Sequence, residues 1–259
     1  MSVRQLLDLS GRIALVTGGS RGIGLQMAAA LGEMGARVAL TARKQDELDA
    51  ARGQLEADGV ECFTVAGDLS ASASIGSAVD AVLRRWQQID IVVNNAGTNW
   101  GAPAEDYPTE AWRKVLDLNL DAAFFLLREV ATRSMIPRKC GKIVNIASVA
   151  GFIGTPPGWK MQTVAYNTSK GALIAMTRAL AAEWGHYNIN VNAICPGFFL
   201  SKMTKVTLER IERQVLELTP LGRLGGEEDL KCSVVFLASE ASRHITGHAL
   251  PVDGGTVAI

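Results

Sequence analysis

The chain alternates short apolar segments with longer segments of helical period, and this alternation limits the folds that it can adopt. The short segments are rich in β-branched residues and read RIALVT, RVALTA, CFTVAG, IDIVVN, GKIVNIA, INVNAI and HALPVD. The longer segments, such as LQMAAALGEMG, are rich in Ala and Leu and mostly end on Gly, as helices do. Strands that alternate with helices in this way form a parallel sheet. The pattern predicts an α/β fold, with one doubly wound domain over residues 1–259 and a seven-stranded parallel sheet flanked by helices.

The composition argues against several classes of protein. The chain has 26 Lys or Arg residues and 26 Asp or Glu residues, so no excess charge would select a nucleic acid as partner. The four cysteines form no CxxC pair, and His186, His244 and His248 show no metal-binding spacing, so we predict neither a disulfide framework nor a metal site. The sequence has no signal-peptide pattern and no apolar run of membrane-spanning length, which predicts a cytoplasmic protein with no membrane partner.

A glycine-rich segment, TGGSRGIG, runs from Thr17 to Gly24 between the first predicted strand and the first long helix. Glycines at such a point let backbone amides approach a pyrophosphate at the positive end of a helix. A P-loop would need Lys and then Ser or Thr after its last glycine, but Leu25 and Gln26 follow here. The common GxGxxG spacing is not matched either, so the segment alone also allows a tight turn without a ligand.

Several separated motifs together resemble the short-chain dehydrogenase/reductase family, over nearly all of the chain. TGGSRGIG resembles the cofactor turn of the family, and residues 94–97 (NNAG) match its motif after the fourth strand. Tyr166 and Lys170 match its YxxxK pair, Pro196 and Gly197 match the segment after the sixth strand, and residues 252–255 match its closing VDGG. The resemblance implies a Rossmann fold and an NAD(P)-dependent oxidoreductase that interconverts a ketone and a secondary alcohol by hydride transfer. It also implies a homotetramer or homodimer, with contacts through the helices near residues 111–136 and 164–186.

Four residues match the catalytic positions of the family, and their chemistry suits the reduction of a ketone. Hydride transfer leaves an alkoxide that must be protonated, and the resemblance implies that Tyr166 is this general acid or base. Lys170 lies four residues later on the same helical face, where its ammonium would lower the pKa of Tyr166 and anchor the ribose. Ser148, at the end of GKIVNIAS, would hydrogen-bond the substrate carbonyl, and Asn119 would hold a water next to the lysine as a proton relay.

The end of the second predicted strand bears on the choice of cofactor. Folds that bind NAD usually place an acidic side chain there, but this strand ends in Arg43 and Lys44. Arg43 and Arg21 could together clamp a 2′-phosphate, so we predict that NADP(H) is preferred over NAD(H). Asp46 and Glu47 follow, and we interpret them as acids of the first turn of the next helix.

The cofactor contacts are expected at the ends of the predicted strands. Asp68, after the third strand, would flank the adenine, although it could equally cap the following helix. The full set of expected contacts is Gly18, Ser20, Arg21, Gly22, Ile23, Gly24, Arg43, Asp68, Leu69, Asn95, Ala96, Gly97, Tyr166, Lys170, Pro196, Gly197 and Thr204.

Three irregular segments after predicted strands form the expected walls of a substrate site: residues 98–108, 149–163 and the substrate-loop region 196–226. Their apolar side chains predict a partly apolar pocket. These side chains are Trp100, Phe152, Ile153, Trp159, Met161, Phe198, Phe199 and Met203.

The segment between Ser148 and Tyr166 is longer than the family usually has, since 18 positions separate the two residues. The surplus must form a loop, and Pro156-Pro157-Gly158 is suited to turn the chain outward. We predict that Trp159, Lys160 and Met161 overhang the substrate entrance or reach a neighbouring subunit.

The resemblance leaves the substrate open. It is strongest to bacterial 3-oxoacyl thioester reductases, with sugar-acid and polyol dehydrogenases of the gluconate 5-dehydrogenase type close behind. A non-catalytic, NADP-binding regulatory protein is a further hypothesis, but such a protein would not need all four catalytic matches. The basic residues Arg128, Arg133, Arg138 and Lys139 form either a solvated helix face or a docking surface for an acidic carrier protein or a phosphorylated substrate.

Overall fold

A parallel sheet of seven strands lies at the centre of this computed structural model, which describes residues 1–156, 159, 161–200 and 204–259. The strands lie in the order β3-β2-β1-β4-β5-β6-β7. Their bounds are β1 Ile13–Thr17, β2 Arg37–Ala42, β3 Cys62–Ala66, β4 Ile91–Asn94, β5 Gly141–Ile146, β6 Ile189–Pro196 and β7 Ala249–Val252. Each predicted apolar segment overlaps one of these strands, so the predicted sheet is confirmed.

Helices cover both faces of the sheet. Their bounds are α1 Val3–Leu7, α2 Gly22–Glu33, α3 Gln45–Ala57, α4 Ser72–Trp86, α5 Thr109–Leu116, α6 Ala122–Val130, α7 Ile136–Arg138, α8 Val164–Trp184, α9 Lys205–Glu217 and α10 Lys231–Ala238. The π-helical segments Asp117–Asp121 and Ala131–Met135 join α5, α6 and α7 into one long helix. Short 3₁₀ turns span Val149–Gly151, Gly185–Tyr187, Glu240–Ser242 and Thr256–Ala258. Across the described residues, none of the helices combines the length and the apolar character that a membrane span requires.

The central strands are apolar because helices pack on both of their faces. Every residue of β1, β4, β5 and β6 is buried. In β1, Ala14 and Val16 face a core that α2, α3 and α10 complete, whereas Ile13 and Leu15 face a second core with α4 and α6. Burial on both faces explains why these strands read as continuous apolar runs in the sequence.

The order of the strands reverses next to β1, and this reversal positions the candidate site. β1 pairs with β2 on one side and with β4 on the other. In open parallel sheets, ligands bind outside the carboxyl ends of the strands at such a reversal. The glycine-rich segment after β1 and the NNAG segment after β4 both lie at this point.

Candidate active site

The glycine-rich segment between β1 and α2 forms a tight turn that packs against the NNAG segment. Gly18 and Gly22 have φ angles of +62° and +54°, in the left-handed region that favours glycine. A Cβ atom on Gly24 would overlap the carbonyl oxygen of Gly18 and the amide nitrogen of Asn95. Asn95 Nδ2 donates to the carbonyl oxygens of Thr17 and Gly18 at 2.9 and 3.1 Å. These contacts hold the turn at the N-terminus of α2, where free backbone N–H groups favour an anion.

A cavity of about 680 Å³ runs along the carboxyl edge of the sheet. Every residue predicted from the sequence as a cofactor contact lines this cavity. The lining follows β3, β2, β1, β4, β5 and β6, which are consecutive neighbours in the sheet. Among the described residues on its wall, Thr41 carries a buried hydroxyl without a hydrogen-bond partner, a group that a polar ligand satisfies. The size, the glycine turn and this hydroxyl together fit a dinucleotide.

Ser148, Tyr166 and Lys170 all line this cavity, where the 3₁₀ turn that follows β5 packs against α8. The Ser148 hydroxyl accepts a hydrogen bond from the backbone N–H of Ala150 at 3.1 Å and also bonds the side chain of Tyr166. Lys170 Nζ donates to the carbonyl oxygen of Ile146 at 2.7 Å and lies 5.5 Å from the centre of the Tyr166 ring. Ser148 and Tyr166 therefore lie together on the wall of the cavity, with Lys170 behind the Tyr166 ring.

Burial dominates the electrostatics of this group. Desolvation raises the pKa of Tyr166 above its ordinary value, and the hydrogen bond with Ser148 offsets only part of this increase. Desolvation also lowers the pKa of Lys170 from 10.5 to about 8. In the protein alone, the pKa of Tyr166 thus moves in the direction opposite to the one expected from its spacing to Lys170, because burial of the phenol outweighs the hydrogen bond with Ser148. A low pKa for Tyr166 needs a further positive charge at the site.

Asn119 lies in the π-helical segment between α5 and α6 and is only 1% exposed. Its Oδ1 accepts from the backbone N–H of Thr98 at 2.8 Å, and its Nδ2 donates to the Thr98 carbonyl and the Ser169 hydroxyl, both at 3.0 Å. Ser169 in turn donates to the carbonyl oxygen of Tyr166 at 2.8 Å. The Asn119 side chain therefore ties the loop after β4 to the turn of α8 that carries Tyr166. Its role as a proton relay stays a prediction.

The cations expected near a 2′-phosphate lie at the ends of β1 and β2. Arg43 is exposed, and Arg21, Arg43 and Lys44 all line the cavity. Arg21 Nη1, however, contacts both carboxylate oxygens of Glu47 at 2.6 Å. Glu47 does belong to the first turn of α3, as interpreted from the sequence, but its side chain also lines the cavity. Sequence reasoning missed this position, although Glu47 is three residues from Lys44 and so shares its face of the helix.

Asp68 lies between β3 and α4 and also lines the cavity. Its Oδ1 accepts from the backbone N–H and the hydroxyl of Ser70 at 3.0 and 2.7 Å, and these bonds lower the pKa of the carboxyl. The residue before the first residue of α4 is Ala71, so Asp68 shapes the approach to the helix and is not its N-cap residue.

A second cavity of about 280 Å³ adjoins the first and shares Ser148, Tyr166, Gly197 and Thr204 with it. Four of the predicted wall residues line this cavity: Ile153, Trp159, Met161 and Phe198. Phe199 is buried against the larger cavity, and Trp100 and Phe152 are exposed and line neither. Met203, Lys160, Pro157 and Gly158 lie outside the described residues.

Trp159 is a buried residue of the long loop, with 9% of its surface exposed. It forms an apolar cluster with Leu208, Ile211 and Val215 of α9. Its ring centre lies 5.8 Å from that of Phe198. Trp159 therefore lines the smaller cavity while it packs onto α9. That residues 159–161 overhang the substrate entrance or reach a neighbouring subunit stays a prediction.

The basic stretch late in the long helix is largely paired with acids. Arg138 Nη1 contacts the buried Asp90 at 2.7 Å, and Arg133 contacts Asp80. Arg128 lies over the Phe125 ring at 5.1 Å. These contacts give the stretch structural partners within the chain, which weakens the case for a carrier-docking surface.

Comparison with known proteins identifies the family. A family model described as Enoyl-(Acyl carrier protein) reductase matches residues 18–257. Gluconate 5-dehydrogenase of Gluconobacter oxydans is 39% identical over 257 residues, with 98% of each chain covered. The rhamnolipid-biosynthesis 3-oxoacyl-[acyl-carrier-protein] reductase of Pseudomonas aeruginosa is 39% identical over 255 residues, covering 96% of this chain and 97% of the relative.

The fold agrees with solved structures of the same kind. The crystal structure of a gluconate 5-dehydrogenase from Burkholderia cenocepacia, in complex with NADP and tartrate, superposes with a TM-score of 0.93. The two proteins are 32% identical, and the match covers 100% of both chains. With its motifs, its sheet and these relatives, the chain belongs to the short-chain dehydrogenase/reductase family and is an NAD(P)-dependent oxidoreductase.

Proposed function

We propose that the protein reduces a ketone that carries an apolar chain, as a 3-oxoacyl thioester does, with NADPH as the preferred cofactor. The observation that carries this proposal is the lining of the smaller cavity. Apolar groups of Ile153, Pro156, Trp159, Met161 and Phe198 surround the space next to Ser148 and Tyr166. Among the described residues that line it, none has a charged side chain. Such a pocket favours an acyl chain over a carboxylate or a polyol.

The geometry of the site supports a catalytic role for each of these residues. The nicotinamide cofactor supplies the hydride when it is bound. Tyr166 gives its phenolic proton to the alkoxide, and the Ser148 hydroxyl donates a hydrogen bond to the carbonyl oxygen as negative charge develops there. Lys170 contributes the nearby positive charge that stabilises the tyrosinate left behind. The hydrogen bonds of Asn119 hold the loop after β4 against the turn of α8 that carries Tyr166.

The proposed preference for NADPH rests on Arg21, Arg43 and Lys44, which line the larger cavity beyond the glycine turn. Guanidinium groups bind phosphate through paired hydrogen bonds, which makes them suited to a 2′-phosphate. The Burkholderia cenocepacia relative was crystallised with NADP. We also propose that residues 196–226, which include α9, act as the substrate-loop region of a single domain.

A second candidate is the oxidation of gluconate or a related sugar acid. The Gluconobacter oxydans relative supports it as strongly as the Pseudomonas aeruginosa relative supports the first, since both are 39% identical to this chain. Asn99, Thr155 and Asn167 add hydrogen-bonding groups to the lining of the smaller cavity, and these could contact hydroxyls.

Steady-state kinetics with both substrate classes would decide between the candidates. We expect a higher kcat/KM for NADPH oxidation with acetoacetyl-CoA than for NADP⁺ reduction with gluconate. A Tyr166→Phe protein serves as the control that turnover belongs to this site. Preferential turnover of gluconate would replace the first candidate with the second, and comparable kcat/KM values with NADH and NADPH would contradict the proposed cofactor preference.

We further propose a homodimer or homotetramer. Phe124 and Phe125 on α6 are each 36% exposed and lie 5.6 Å apart, which makes this face suited to a contact between subunits. Light scattering during size exclusion should give two or four times the chain mass, and Phe125→Glu should shift the protein toward smaller species. A monomeric wild type would refute the proposal.

A further inference from the structure

An acidic side chain lies among the cations that line the larger cavity near the end of β2. Glu47 contacts Arg21 Nη1 with both oxygens at 2.6 Å. It also lies 3.4 Å from Lys44 Nζ and accepts a hydrogen bond from the Ser20 hydroxyl at 3.4 Å. All four residues line the cavity, so this carboxylate is part of the surface that a cofactor would meet.

Glu47 is less exposed than the two cations that it contacts. Its side chain is 23% exposed, compared with 48% for Arg21 and 61% for Lys44. The two cations therefore extend from solvent toward a carboxylate held on the first turn of α3. A phosphate that used Arg21 would have to share the guanidinium with Glu47, and its own negative charge would lie close to that of the carboxylate.

The stability of α3 does not require this orientation of Glu47. Asp46 lies in the same first turn and already supplies a negative charge to the positive end of the helix. Asp46 is exposed and does not line the cavity. Both acids thus place a negative charge at the positive end of the helix, but only Glu47 lines the cofactor cavity.

We propose that Glu47 sets the cofactor selectivity of the site. Its carboxylate competes with a 2′-phosphate for Arg21 and Lys44 but tolerates a ribose 2′-hydroxyl, since acidic side chains accept hydrogen bonds from that hydroxyl in NAD-binding folds. The site therefore discriminates less strongly in favour of NADP(H) than its cations alone would. This inference rests on the proposed assignment of this end of the cavity to the 2′-substituent.

Binding measurements on two matched variants test this role. Glu47→Gln keeps the size of the side chain and one acceptor oxygen but removes the charge, and Asp46→Asn removes the adjacent charge of the same helical turn. Calorimetric Kd values for NADP⁺ and NAD⁺ would be measured at one fixed ionic strength for both variants and the wild type. We expect Glu47→Gln to bind NADP⁺ at least about threefold more tightly, with NAD⁺ binding unchanged or weaker, and Asp46→Asn to change the ratio of the two Kd values much less.

Three outcomes would overturn the inference. Weaker NADP⁺ binding by Glu47→Gln would mean that Glu47 positions Arg21 for the phosphate. An unchanged ratio would mean that the carboxylate has no effect on the 2′-substituent, and an equal effect of both variants would mean that only the general charge matters. The wild-type ratio of Kd values tests the proposed NADP(H) preference separately, because the inference concerns only the change between variant and wild type.

Discussion

Replacing Lys170 with methionine would measure how strongly the active site destabilises the folded protein. Lys170 is 4% exposed, and burial lowers its pKa from 10.5 to about 8. Methionine is similar in length and carries no charge, so Lys170→Met removes the cost of burying an ammonium group. We expect a variant with little catalytic activity that is nevertheless more stable than the wild type near neutral pH.

The lowered pKa of Lys170 sets the size of the expected change in stability. The difference between 10.5 and about 8 corresponds to about 3 kcal/mol of stability that the wild type lacks at pH 7. Losing the hydrogen bond to the Ile146 carbonyl costs the variant about 1 to 3 kcal/mol, so the net gain at pH 7 is about 1 kcal/mol. Above pH 8 the folded lysine is increasingly neutral while the unfolded lysine still binds its proton, and the wild type therefore becomes more stable. Between pH 7 and pH 9.5 the titration of Lys170 raises the free energy of unfolding of the wild type by about 2 kcal/mol. Lys170→Met does not show this rise.

Denaturant unfolding of both proteins between pH 7 and pH 9.5 provides the assay. The difference between their free energies of unfolding isolates Lys170, because Lys142, whose pKa is also lowered by burial, titrates equally in both proteins. Tyr166 has a raised pKa and stays protonated over this range. As the pH rises from 7 to 9.5, the free energy of unfolding of the wild type should increase by about 2 kcal/mol relative to that of Lys170→Met. A difference that is constant with pH would refute the argument that Lys170 is a desolvated ammonium.

Three further substitutions test separate parts of the site. Tyr166→Phe should lower kcat at least about 100-fold while changing the Kd for NADP⁺ by less than about threefold, as measured by steady-state kinetics and calorimetry. Gly24→Ala should lower the melting temperature and weaken NADP⁺ binding, because its Cβ would overlap the Gly18 carbonyl. Gly53→Ala is the control, since a Cβ at that position meets no atom within 4 Å, and it should stabilise α3 by about 0.5–1 kcal/mol. Trp159→Ala should raise the KM for a 3-oxoacyl substrate roughly tenfold and leave the Kd for NADP⁺ unchanged, since the indole covers only the smaller cavity.

The sheet and the residues around its edge could be predicted because their signals are local in the sequence. A strand buried on both faces must be continuously apolar, and the turn after β1 must contain glycine where φ is positive or where backbone segments meet. Once the strands are placed, a parallel arrangement brings their carboxyl ends to one edge. Gly18 could therefore be placed at this edge from the pattern alone, whereas Asn95 and Ser148 were assigned to the same site by their resemblance to motifs of the family.

Side-chain direction and desolvation could not be predicted in the same way. Glu47 occupies an ordinary first-turn position, and only the path of the turn before α2 brings Arg21 within 2.6 Å of it. The spacing of Tyr166 and Lys170 places them on one face of α8, but it does not reveal that Lys170 Nζ bonds the Ile146 carbonyl. Burial raises the pKa of Tyr166, and the spacing of the two residues does not reveal that burial, which is why the shift differs from the expectation based on spacing.

The long loop before α8 shows how substrate binding can be separated from the stability of the sheet. Trp159 packs with Leu208, Ile211 and Val215 of α9, and this cluster is distinct from the two cores on the faces of the sheet. Opening of the cluster would expose the smaller cavity without disturbing the contacts that hold β1 to its neighbours. Of the proposed catalytic residues, Ser148 begins the 3₁₀ turn after β5, and Tyr166 and Lys170 lie on α8, outside the Trp159 cluster. Substitutions in the Trp159 cluster should therefore alter which ketones are accepted before they alter the positions of Ser148 and Tyr166.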